Sequence, residues 1–159
     1  MVTLGTIESE CFEGFHPELM GCVFTFGFNS CRYEREEQFI KTDERIKALV
    51  GRSFNPYVLE SLEKGELIMP EEPKPKIGTD GKFNSELDKI KFSSYFGIWL
   101  ESKYTIENEM KKVYAIYLGQ CDKMMKDMLA YQPTYDRANE TKDVLELHRM
   151  LHSISFRSY

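Results

Sequence analysis

Residues 69–81 read Met-Pro-Glu-Glu-Pro-Lys-Pro-Lys-Ile-Gly-Thr-Asp-Gly, and no other stretch limits the fold of this chain as strongly. Pro70, Pro73 and Pro75 each lack a backbone donor and have a fixed φ, and Gly78 and Gly81 favour turns. Neither a helix nor a central strand can run through such a stretch. It predicts a Pro/Gly-rich linker loop over residues 70–81, extended across the surface. The chain then divides into a front part, 1–69, and a back part, 82–159. At 159 residues, the two parts are expected to pack together as one domain.

The back part reads as helix. Ser85–Tyr104 carries Leu87, Ile90, Tyr95, Ile98 and Trp99. Thr105–Leu118 carries Ile106, Met110, Val113, Tyr114 and Tyr117, an i, i+3, i+4 apolar stripe. Gly119 is a break point, Cys121–Tyr131 continues with Met124, Met125, Met128 and Leu129, and Gln132-Pro133 stops it. A last amphipathic helix is expected over Thr141–Phe156. No internal repeat occurs, and no coiled-coil heptad is sustained for many turns. Trp99, Tyr114, Tyr117, Leu118, Cys121 and Leu147 are expected in one core.

The front part is mixed. Cys22, Phe24, Phe26 and Phe28 alternate with Val23, Thr25 and Gly27, a period of two that predicts a short N-terminal strand or hairpin ending at Asn29-Ser30. Tyr33–Val50 has helical spacing, with Gly51 as its stop. Asn55-Pro56 is a helix start, with Asn as cap and Pro in the first turn, and that helix ends at Lys64-Gly65. The fold class expected is mainly α.

Charge and composition exclude several functions. The net charge is −5, and no segment is strongly basic. Arg32–Arg52 holds six bases, Arg32, Arg35, Lys41, Arg45, Lys47 and Arg52, against five acids. On a helix these bases spread over several faces, so nucleic-acid binding by this chain alone is expected to be weak, about 10⁻⁴–10⁻⁶ M. No apolar run reaches the length of a membrane span. Met1–Glu10 has no basic n-region, so no signal peptide is expected. The four cysteines form no C-x-x-C pair and read as reduced thiols of a cytoplasmic protein.

No catalytic, cofactor or metal apparatus emerges. His148 and His152 stand one helical turn apart, a spacing that can bind zinc, but Arg149-Met150-Leu151 between them lacks the Glu of the zinc-protease motif. A polar face explains the pair better. The paired carboxylates Glu36-Glu37, Asp43-Glu44 and Glu71-Glu72 interleave with bases or lie in the linker. There is no phosphate-binding glycine loop and no nucleophile elbow.

Several short pieces together resemble a known family. They are Phe12-Glu13-Gly14, Leu19-Met20-Gly21-Cys22-Val23-Phe24, Phe39-Ile40-Lys41-Thr42, and Ala48-Leu49-Val50-Gly51-Arg52. The most specific is Gly119-Gln120-Cys121-Asp122, within Tyr114–Lys126, followed by a closing helix around Val144-Leu145-Glu146-Leu147. In this order they are similar to the Gag-like polyproteins of copia-type LTR retrotransposons. The family's zinc knuckle and its Asp-Ser/Thr-Gly protease motif are absent from this sequence. The resemblance implies a helical, capsid-like bundle that associates with itself around RNA, in an element or in a host gene derived from one. The alternative is a helical interaction module that binds a host protein without forming a shell. The expected self-contact is the last helix, through Leu147, Met150, Leu151 and Ile154 with His148 and His152 beside them. Protonation of those histidines below pH of about 6.5 is expected to weaken it.

Overall fold

A computed structural model of the chain describes residues 12–26 and 32–157. Asn55 and Pro56 start a helix as their chemistry dictates: the Asn55 side chain accepts from the Tyr57 N–H at 3.0 Å, and Pro56 fills the first helical position. That helix, Pro56–Lys64, ends on Gly65 at φ +70°, a left-handed conformation that glycine adopts without strain. Three further helices carry the same logic. Ser85, Asp122 and Asp143 each accept from a backbone N–H of the first turn they precede.

Helix makes up 67% of the structure, with six helices and no sheet among the described residues. In chain order they are α1 (Arg32–Ser53), α2 (Pro56–Lys64), α3 (Glu86–Gly119), α4 (Lys123–Ala130), α5 (Tyr135–Thr141) and α6 (Val144–Ser155). A 3₁₀ turn, Pro17–Leu19, precedes them. No helix among the described residues is long and apolar enough to cross a membrane.

Among the described residues the expected short N-terminal strand or hairpin does not form. Cys22 and Phe24 are buried, as the alternation implies. Their backbone, however, docks on the α3–α4 turn instead of on a second strand. The Phe24 N–H donates to Gln120 O at 2.8 Å, and the Asp122 N–H donates to Phe24 O at 3.1 Å. That single bridge is the whole ladder. Phe28 and the proposed end at Asn29-Ser30 lie outside the described residues. Two helix limits also shift. Gly51 does not stop α1, which runs on to Ser53. The expected last helix, Thr141–Phe156, begins at Val144, and α5 precedes it across Lys142, which sits at φ +57°.

The core lies around α6, which packs against α1, α3, α4 and α5. Front and back parts share it: Phe24, Ile46, Val50 and Val58 join Ile106, Val113, Tyr117, Leu129, Leu147 and Ile154 in one buried cluster. Each fully buried aliphatic or aromatic side chain stabilises the fold by about 1.5–3 kcal/mol. Tyr114, Cys121 and Leu147 are buried as expected. Leu118 and Trp99 are only half-buried, and Trp99 lies away from this core.

The position of Trp99 follows from α3, a single helix of 34 residues, about 51 Å long. Its second half is buried through Ile106, Met110, Val113, Tyr114 and Tyr117. Its first half stands off the core as an arm. The linker runs along one side of this arm. Trp99 Nε1 donates to Pro70 O at 3.0 Å. The rings of Phe83, Phe92, Phe96 and Trp99 follow one another at 5.5–5.7 Å. The turn at Gly78–Gly81 brings Ile77 beside Phe83 in an antiparallel bridge.

Candidate functional site

The face of α6 expected to meet a neighbour is occupied within the chain. Leu147, Met150, Leu151 and Ile154 are each 0% exposed. Their amphipathic pattern records burial in the core of this same chain, so they are unavailable to a second molecule. His148 and His152 share a side of α6, and both rings meet Phe39 edge-on, at 5.6 and 5.4 Å. His148 Nε2 lies 3.0 Å from Asp43 Oδ1, and its ring meets Tyr117 and Phe39 edge-on. The exposed His152 stacks on Phe156 at 4.4 Å. Among the described residues, no three His, Cys, Asp or Glu side chains are placed to hold a metal ion.

Asp43 is the polar hub of the core. Tyr117 donates its hydroxyl to Asp43 Oδ1 at 2.6 Å, and Lys47 Nζ lies 3.0 Å from Oδ2. Burial pushes the carboxyl pKa up. The hydrogen bonds from His148 and Tyr117, the His148 charge and Lys47 together outweigh burial and hold the pKa at about 2. The Tyr117 phenol is pushed well above its ordinary value by burial first and by the Asp43 carboxylate second. It therefore stays protonated and donates. Burial likewise pushes the Cys121 thiol far up, so it is an inert core side chain. This network ties α1, α3 and α6 together at one point.

Three of the pieces that carry the resemblance, Phe12–Gly14, Leu19–Phe24 and Gly119–Asp122, meet at Gln120. Its Oε1 accepts from the N–H groups of Phe15 and His16 at 3.0 and 2.9 Å. Its Nε2 donates to the carbonyls of Leu19 and Cys22 at 3.0 and 2.7 Å. Gly14, at φ +95°, lies so close that a Cβ there would fall 2.0 Å from Gln120 Nε2. The Phe-Glu-Gly and Gly-Gln-Cys pieces are therefore two sides of one clamp. Asp122 completes it, capping α4 and accepting from the Thr25 hydroxyl at 2.5 Å. The motif has a structural role here.

The basic residues of α1 do not assemble into a stripe. The Arg35 guanidinium is buried, donating to Arg157 O at 3.1 Å and lying over the Phe26 ring. Lys47 pairs with Asp43, and Arg52 pairs with Glu18 at 3.0 Å. Lys41 and Arg45 are exposed, and the Arg32 side chain lies outside the described residues.

The surface that stands out is the arm of α3. Leu87, Ile90, Tyr95, Ile98, Leu100 and Tyr104 are between 46% and 70% exposed. At 100° per residue, Leu87, Ile90, Ile98 and Tyr104 fall within an arc of about 120°, roughly opposite Phe92, Phe96 and Trp99. The linker covers the aromatic side and leaves this one open. The sequence reading places Trp99 of this segment in the core and gives Leu87, Ile90, Tyr95 and Ile98 to the same helix without separating its faces. The missed signal is angular: apolar side chains around the whole of 86–104 are more than a single core face accommodates. Exposed Ser94 and Glu101 fall within the same arc, between the apolar side chains. Comparison with known proteins finds no match: no family model, no curated protein and no solved structure is similar to this chain.

Proposed function

We propose that this chain is a structural Gag-type capsid domain, of a retrotransposon or of a host gene derived from one, that self-associates in the cytoplasm to package RNA. The observation that carries this reading is the open apolar side of the α3 arm, held on a helix whose other half is anchored in the core. An assembling subunit needs such a rigid, pre-formed contact element outside its own core. The packing of three family-like pieces around Gln120 supports the resemblance, since they act together in one clamp. RNA is held weakly by this chain itself. The net charge is −5, and Arg35, Lys47 and Arg52 already have partners within the chain.

The test is light scattering with electron microscopy across protein and salt concentration. Particles or large oligomers that grow with concentration, and with salt as repulsion between acidic subunits is screened, are the expected result. A monomer at millimolar protein in high salt would remove the shell-forming reading.

A further inference from the structure

We infer that residues 87–104 of α3 pair antiparallel with the same residues of a second copy, a contact that rests on the self-association proposed above and names its surface. Leu87, Ile90, Ser94, Gly97, Glu101 and Tyr104 follow one another at spacings of three and four, the seam of a coiled coil, and all six are exposed. About 2.5 heptads are too short to form a helix alone. Here the helix is already built. Its second half is fixed in the core, and the linker holds the opposite side through Trp99 and Pro70.

The chemistry of the seam selects both the partner and the direction. In a symmetric antiparallel pair, Leu87 faces Tyr104 of the second copy, Ile90 faces its Glu101, and Ser94 faces its Gly97. Large side chains meet at the two ends and small ones at the centre, where the helices approach most closely. A Cβ built on Gly97 meets nothing within 4 Å, so that side of the backbone is open. Lys91, one residue beyond Ile90, reaches the Glu101 carboxylate of the second copy, and two-fold symmetry makes that pair twice. A parallel pair in register would set Glu101 against Glu101 in the seam. The seam is thus complementary to itself in the antiparallel sense only. About 18 residues span about 27 Å. Such a contact lies at or below the low end of specific interfaces, about 1,200 Å² in total, and is weak and reversible.

Sedimentation velocity of the full chain across concentration tests this, with circular dichroism confirming that each variant keeps its helix content. Wild type is expected to form dimers or larger species as concentration rises. Ile90→Glu should weaken association by about tenfold. Lys91→Glu and Glu101→Lys alone should each weaken it by about threefold, and together they should restore it to about the wild-type value. Association of wild type that Ile90→Glu leaves unchanged, or a charge-reversed pair that does not recover, overturns the antiparallel contact while self-association stands. Wild type that stays monomeric at every concentration overturns the self-association reading itself.

Discussion

Gln120 leaves none of its side-chain hydrogen-bonding groups idle, although it is completely buried. Gln120→Leu keeps the bulk but strands the His16 N–H and the Cys22 carbonyl, whereas the Phe15 N–H keeps Gly119 O and the Leu19 carbonyl keeps the Cys22 N–H. It should lower stability by about 2–4 kcal/mol in urea unfolding, a loss far above that of an ordinary neutral core swap. Asp43 makes a pH-dependent contribution. Its folded-state pKa of about 2 lies below the ordinary 3.8. The stabilisation, about 2 kcal/mol, is therefore present above pH of about 4 and is lost as pH falls toward 2. The stability gap between wild type and Asp43→Asn should shrink over that window in urea midpoints measured at pH 5 and pH 2.5. An unchanged gap would contradict the assigned network. Little of this was legible in the sequence. The Gly-Gln-Cys-Asp piece stands out there as the most specific one. Its partners, however, lie about a hundred positions away, as does His148 from Asp43. Spacing along the chain carries no trace of such contacts.

Where local chemistry decides an element, the sequence reads correctly. Asn55-Pro56 starts α2, Gly65 ends it, and the linker is non-helical between the two halves. Where tertiary contact decides, it reads less well. Cys22–Phe26 alternates like a strand because one side faces the core, but its hydrogen-bonding partner is a helix turn. The break between α5 and α6 is hidden because Lys142, not a glycine, takes the left-handed position. In the α3 arm the reading misplaces Trp99, which is expected in a core that only the second half of the helix reaches. The linker and the arm form a unit of their own, joined by Trp99 Nε1 to Pro70 O and by the Phe83–Phe92 contact. Trp99→Phe removes that hydrogen bond and part of the ring contact. Limited proteolysis within residues 74–82 should speed up severalfold while the melting temperature of the core changes little, because the buried residues of α3 start at Ile106. Unchanged cleavage would mean that the linker is held elsewhere.

At the scale of the whole molecule, one helix serves two environments. Residues 106–117 of α3 close the core, and residues 87–104 carry apolar surface out into solvent. A chain of net charge −5 repels its own copies at long range, so the proposed contact relies on short-range packing of Leu87, Ile90 and Tyr104 with the Lys91–Glu101 pairs. The mainly helical class was legible in the sequence. The element assigned to the proposed self-contact changes from α6 to the arm of α3, since the α6 face lies inside the core. Hydrogen–deuterium exchange at two protein concentrations tests the arm most directly. The amides of residues 86–104 open by fraying in a lone chain and are held shut in a paired one. The account predicts that their exchange slows as concentration rises from micromolar to millimolar, while exchange in α6 stays the same. Exchange over 86–104 that is identical at both concentrations would contradict it.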